Sequence, residues 1–286
     1  MIQELVPIGD GCSLWTQATG AGEPMVLCHG GPGLWDYLRP LAQLAGPRWR
    51  VHRYDQRGCG RSGHRGEWTL DQFIADLDAL RAHFGYQRWV VGGHSFGADL
   101  ALRYALRYPH RVTAVVYICG TGLEWSTHSS AHKAAARARR SKREQDRLAA
   151  LAAGPRTAAQ EHEFLTLTWA ADYADHTRGL AAARDMAAAS LPVNYHLNKT
   201  INRELQGESA AALAAACHAL TVPVLLLQGG QDPRQAAACD TLAHALPAAT
   251  RIVLPQAGHL PWIEAPRETG TILRNFLTHL EGHSPA

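Results

Sequence analysis

The sequence predicts an α/β protein: a mostly parallel central sheet with helices on both faces and a helical segment inserted between its later strands. Two observations carry this expectation. Between residues 25 and 118, short Val-rich apolar runs alternate with stretches of helical period, which is how parallel strands and their covering helices read in a sequence. From 123 to about 213 the chain is rich in Ala, Arg and His, with no Val/Ile run that would make a strand, and the strand pattern resumes at 223.

In chain order, residues 2–6 and 12–19 flank a Gly9-Asp10-Gly11 turn and read as an antiparallel hairpin at the sheet edge. Parallel strands are expected at 25–28, 50–54, 88–92 and 112–118, joined by right-handed crossovers through helices near 37–45, 69–84 and 96–108. The second helix sets Leu70, Phe73, Leu77, Leu80 and Phe84 on one face. Strands at 223–228 and 250–254 complete the sheet, with helices near 235–245 and 264–280. The expected organisation is a core in two parts, 1–122 and 214–286, with a helical cap over 123–213.

Composition excludes several function classes. Hydrophobic residues at 46% and charged residues at 19% are ordinary for a globular chain and exclude a disordered or collagen-like one. No apolar run approaches the roughly 18 residues that cross a bilayer. Residues 1–5 carry an acid and no basic cluster, so no secretory leader is expected and the cytoplasm is the expected compartment. The cysteines Cys12, Cys28, Cys59, Cys119, Cys217 and Cys239 lack paired spacing and read as separate reduced thiols. A formal charge of 28 minus 25, or +3, gives no reason to expect a nucleic-acid partner.

The strand at 88–92 runs into Gly93-His94-Ser95-Phe96-Gly97 and then into a helix. A G-x-S-x-G turn between strand and helix is the context of a nucleophile elbow, where strained backbone needs glycine on either side. A serine hydroxyl is a poor nucleophile near neutral pH and requires a base, itself oriented by a third group. His259 follows the last expected strand after a short loop at 255–258, at the sheet's carboxyl edge, and is the expected general base. Asp232 leaves the carboxyl end of strand 223–228 and is the expected acid, with Pro233 aiming its carboxylate away from helix capping. Asp240, in mid-helix, is the weaker alternative. Two backbone amides are expected to hold the oxyanion: that of Phe96, at a helix N-terminus, and that of Gly31, in the loop after strand 25–28. His29 in that loop reads as a structural hydrogen-bonder.

Three segments, HGGPG at 29–33, DQRGCGRS at 55–62 and the elbow at 92–97, together resemble the α/β-hydrolase superfamily and, within it, the proline iminopeptidase (prolyl aminopeptidase) group. The resemblance covers roughly 25–120 and 222–280 and leaves the expected cap unmatched. It implies an α/β-hydrolase fold, an oxyanion loop at 29–33, a structural loop at 55–62, and a triad of Ser95, Asp232 and His259. The chain departs from the group beside the nucleophile, where Gly and Trp are usual and His94 and Phe96 stand here. The group also clamps the substrate's α-amine with glutamates. One comes from a cap segment similar to 191–196, in which this chain has Asn194; Glu204, Glu208 and Glu163 are the remaining candidates, with Glu204 taken as the substrate ligand.

Among the cap aromatics, Trp125, Trp169 and Tyr195 are expected to line a pocket for an apolar or cyclic group, and Phe164 and Tyr173 to join them or to pack the cap on the sheet. Residues 131–150 hold Lys133, Arg137, Arg139, Arg140, Lys142, Arg143 and Arg147 against Glu144 and Asp146. This run reads as a solvated helix face, or more sharply as a docking surface for an acidic partner or a substrate carboxylate. His128 and His132 have helical spacing without a companion ligand, so no metal is expected, and no cofactor is implied. Asp99 and Arg103 read as a helical ion pair. The function expected is a serine hydrolase forming an acyl-enzyme on a small-molecule or short-peptide substrate, cleaving an N-terminal prolyl or small-residue amide. The alternatives are an esterase, lactonase or amidase whose substrate has no free amine, and a non-catalytic binding protein of the same fold.

Overall fold

The computed structural model describes residues 2–189, 191–234 and 236–281. The chain forms β1 (Ile2–Ile8), β2 (Cys12–Thr19), β3 (Glu23–Cys28), α1 (Arg39–Leu44), β4 (Trp49–Tyr54), α2 (Leu70–His83), β5 (Trp89–His94), α3 (Phe96–Arg107) and β6 (Val112–Ile118). Six helices follow: α4 (Trp125–Ala138), α5 (Lys142–Ala152), α6 (Ala158–Ala170), α7 (His176–Ala187), α8 (Tyr195–Gly207) and α9 (Ala210–His218). The chain then returns through β7 (Val224–Gly229), α10 (Ala236–Ala245), β8 (Ala249–Leu254), α11 (Pro261–Glu264) and α12 (Pro266–Glu281).

The strands form one sheet in the order β1-β2-β4-β3-β5-β6-β7-β8. Only the β1–β2 and β2–β4 pairs are antiparallel. Period-2 alternation along buried strands feeds two cores. In β3, Val26 and Cys28 face Phe73 and Leu77 of α2, while Met25 and Leu27 face Leu41 of α1 and Leu273 and Leu277 of α12. Strand order reverses at β3: the chain steps from β3 to β4 on one side, then crosses back to β5 on the other. The crevice beyond the carboxyl ends of strands at such a reversal is where open α/β sheets bind ligands.

Three sequence expectations are corrected. The helix expected at 264–280 starts at Pro266, after a short helix, α11, that the sequence reading did not include; Pro266 has no N–H to donate and restricts Ala265 (φ −134°, ψ 60°), which separates the two. The helix expected at 37–45 starts at Arg39, next to Pro40, while Asp36 accepts the Leu38 N–H; this leaves Tyr37 outside the helix. Asp99 and Arg103 do not pair through their charged ends. Asp99 takes hydrogen bonds from Tyr117 and Thr121, whereas the Arg103 guanidinium reaches Glu208 and the Asp99 main-chain oxygen. No helix among the described residues is long and apolar enough to cross a membrane.

Candidate active site

β5 delivers Ser95 at the switch point with φ 55° and ψ −127°, a conformation that costs of order 1–3 kcal/mol for a residue with a side chain. Its surroundings hold it there: the Ser95 N–H donates to Ile118 O at 3.0 Å and Ser95 O accepts from Ala98 N–H at 2.9 Å. The glycines are steric necessities. A Cβ on Gly93 would overlap the Gly97 carbonyl, and one on Gly97 would overlap the carbonyl of Cys28, at the end of the neighbouring strand.

Asp232 and His259 leave the carboxyl ends of β7 and β8, adjacent parallel strands, and meet with Nδ1 at 2.7 Å from Oδ2. A carboxylate only accepts, so Nδ1 carries the proton and Nε2 keeps its lone pair. The other oxygen of Asp232 accepts the Arg234 N–H at 2.9 Å and lies 3.3 Å from its guanidinium. One oxygen of Asp232 thus closes a local turn while the other faces His259. Asp240 pairs with Arg251 instead.

Ser95 and His259 line one cavity of about 200 Å³ with no direct hydrogen bond between them among the described residues; such bonds are often long without substrate and tighten with it. Burial, followed by the Arg234 guanidinium, holds the His259 imidazole well below the usual histidine range, with Asp172 opposing. Neutral imidazole is thus the form present at pH 7. Cys119 Sγ lies with the Asp232 and His259 ligand atoms inside 4.8 Å. Burial raises its thiol well above the usual range, and carboxylate and imidazole are engaged with each other, so the ligand atoms this group would offer a metal are a protonated thiol and an already paired carboxylate and imidazole.

Gly31 (φ +130°) and Phe96 border the space beside Ser95. The Gly30–Gly31 peptide is fixed from both ends. His29 accepts the Gln56 N–H at Nε2 and so presents Nδ1–H to Gly30 O at 2.8 Å. In a trans peptide the next N–H, that of Gly31, points the opposite way. Gly30 N–H donates to Tyr37 Oη at 3.0 Å, Tyr37 donates to His94 Nδ1 at 2.6 Å, and His94 Nε2 donates to His259 O at 2.8 Å. The residue before the nucleophile therefore ties the Gly31 loop to the main chain of His259. Burial, reinforced by His259, keeps His94 neutral, as that arrangement requires.

The helices between β6 and β7 close over this rim. Asn198 of α8 donates to Pro32 O at 2.7 Å and to Gly31 O at 3.2 Å. Asp172, just after α6, accepts the His259 N–H at its main-chain oxygen (2.7 Å) and holds Arg234 through its carboxylate (2.9 Å). The basic run at 131–150 is not wholly a solvated face. Arg139 bonds the carbonyls of Ala171, Tyr173 and Gln231, and Arg140 those of Leu167 and Thr168, facing the cavity.

Of the substrate-contacting candidates, Trp169 lines the 200 Å³ cavity and Trp125 a second one beside Ser95. Tyr195 does not: the residue is 42% exposed and its hydroxyl donates to Glu161. Glu204 does not either. Its carboxylate accepts the Leu70 N–H at 3.0 Å, satisfying an open donor at the start of α2. Glu208 holds Arg103, Glu163 pairs with Arg147, and Asn194 caps α8 through Leu197 N–H while donating to Gly58 O. Arg234, Asp172, Tyr37, His132 and Asn198 were not picked out as site residues from sequence; only Arg234 left a local signal, two residues after Asp232 where an Asx turn would place it.

Residues 23–266 match the model of a family described as alpha/beta hydrolase fold. The chain is 38% identical over 128 residues to a probable proline iminopeptidase of Streptomyces coelicolor (39% of this chain, 38% of that one). It is 40% identical over 106 residues to a proline iminopeptidase of Saccharolobus solfataricus (35% of this chain, 34% of that one). The matches thus span little over a third of these curated relatives. The crystal structure of a proline iminopeptidase from Mycobacterium smegmatis superposes over 99% of this chain and 100% of that one, with a TM-score of 0.70 and 21% identity, a likeness of fold.

Proposed function

The chain belongs to the alpha/beta hydrolase fold family, and on that premise we propose that it is a serine hydrolase that acts through an acyl-enzyme on a carboxylic ester or amide lacking a free amine. Ser95 is the nucleophile, His259 the base and then the acid, and Asp232 the group that orients it. Neutral His259 takes the Ser95 proton at Nε2 as Oγ adds to the carbonyl. Asp232, bonded to Nδ1–H, stabilises the imidazolium formed. The oxyanion is held by the N–H groups of Gly31 and Phe96, and the imidazolium returns the proton to the leaving atom; water repeats the sequence to release the acid. Residues 123–213 act as the cap, excluding water and lending Trp125 and Trp169 to the substrate.

The observation that carries this reading is the 2.7 Å Asp232–His259 pair on the cavity that also holds the strained Ser95. The absence of a free amine is supported by the glutamates: Glu204, Glu208 and Glu163 are each engaged elsewhere, and Asp172, the carboxylate lining that cavity, is held by Arg234. A second reading, removal of an N-terminal prolyl or small residue, is favoured by the names of the curated relatives. A panel of 4-nitroanilides and 4-nitrophenyl esters, each with its amine free or acetylated, separates the two. Equal or faster turnover of the acetylated forms is expected; strict dependence on the free amine would favour the exopeptidase.

A further inference from the structure

Ser95 and Gly31 line two cavities at once. One, of about 200 Å³, also holds His259 and is walled by Leu34, Trp169, Met186 and Leu260. The other, of about 420 Å³, is bordered by Phe96, Trp125, Lys133, Asn202 and Gln206. Ser95 borders both, so a substrate attacked there is divided between them.

Acyl transfer dictates which part goes where. The leaving atom must receive a proton from the imidazole and so lies on the His259 side, in the smaller cavity, whose Arg140 is engaged by the Leu167 and Thr168 carbonyls and whose Asp172 and Arg234 pair with each other, leaving Leu34, Trp169, Met186 and Leu260 as its open walls. The carbonyl oxygen points to the Gly31 and Phe96 amides, and the rest of the acyl group is left with the larger cavity.

The charges on that larger cavity are unequal. Arg234 is held by Asp172 and Asp232. Asp99 is enclosed by hydrogen bonds from Tyr117 and Thr121, and burial raises its pKa. His132 is held near pKa 4 by burial and is neutral at pH 7. Lys133, exposed at the rim, is in no ion pair recorded among the described residues. We infer that this site takes acyl groups ending in a carboxylate, received by Lys133, on a compact apolar leaving group. The inference rests on Ser95 being the nucleophile. It goes further than the proposed function, because an acyl group with a free ammonium would meet the same cation unfavourably.

The test compares mono-4-nitrophenyl glutarate with 4-nitrophenyl pentanoate, which share a leaving group and chain length and differ in a terminal carboxylate for a methyl, after subtracting the uncatalysed rates. The expected kcat/KM ratio is about tenfold in favour of the glutarate, the scale of one charge-assisted hydrogen bond. Lys133→Met should bring the ratio to about one and Lys133→Arg should keep it. A ratio at or below one in the wild type, or one that Lys133→Met leaves unchanged, overturns the inference while the serine hydrolase stands. Turnover of neither ester, with Ser95 unlabelled by a fluorophosphonate, removes the underlying reading and this one with it.

Discussion

The sheet rim and the inserted helices serve the candidate site by different physical means. The sheet presents its groups through backbone geometry: Ser95 in a φ 55° elbow, Asp232 and His259 at the ends of neighbouring parallel strands, Gly31 on a loop after β3. The insertion presents almost none of the reacting atoms. It pins those that the sheet presents, with Asn198 on the Gly31 and Pro32 carbonyls, and with Asp172 on the His259 N–H and on Arg234. On the proposed function, chemistry is fixed in the rim, and substrate choice is left to side chains that can change without moving it.

That division can be broken by mutation. If the rim carries the chemistry, Ser95→Ala and His259→Ala each lower kcat by about 10⁶-fold, and Asp232→Asn by about 10⁴-fold, in steady-state kinetics of proteins with unchanged near-UV circular dichroism. Asp240→Asn, which removes the carboxylate that pairs with Arg251, should leave kcat as it was; a larger loss there than at Asp232 would move the acid from the end of β7 to α10 and contradict this account.

The bond chain from Gly30 through Tyr37 and His94 to His259 joins two parts of the rim. Tyr37→Phe removes the acceptor for Gly30 N–H and the donor to His94. It should lower kcat by about 10²-fold with KM little changed, comparable to losing one oxyanion donor. His94→Gln, which keeps a donor where Nε2 stands, should recover part of what His94→Ala loses. From the insertion, Asn198→Ala should cost about fivefold in kcat, the net worth of one hydrogen bond. A loss there as large as at Tyr37 would erase the distinction between the regions.

The sequence showed the rim because strand-to-turn chemistry is local. A G-x-S-x-G after a Val run, an Asp and a His each just beyond a strand, and a glycine-rich loop occupy short windows whose geometry follows from their own residues. In the insertion the helices and the cavity positions of Trp125 and Trp169 were legible, but its long-range side-chain partners were not, for the opposite reason. Glu204 looks like a free carboxylate in sequence, yet it caps a helix that begins 134 residues earlier; Tyr195 looks like a pocket aromatic, yet its hydroxyl is used by Glu161 at the surface. Tyr37 became a linker because Pro40 delays α1, and nothing near it in sequence announces His94 as its partner.

A separate test of the buried groups comes with pH. Burial holds His29, His52, His94, His132 and His259 below the usual histidine range, His52 and His132 to about 4. The unfolded chain, with histidines near 6.5, binds more protons between the two values, so stability is fully present above about pH 6.5 and falls as pH drops. Tm should decline from pH 7 to pH 5 in a thermal melt. The acid limb of kcat/KM should lie below pH 6.5, because His259 stays neutral there.

The central claim, that Ser95 is made nucleophilic by His259 and Asp232, is tested most directly by fluorophosphonate labelling of the folded protein with mass-spectrometric mapping of the adduct. The account requires one adduct, on Ser95, formed quickly in the wild type and lost or strongly slowed in His259→Ala. An adduct on another residue, or equally fast labelling of Ser95 without the imidazole, would contradict it.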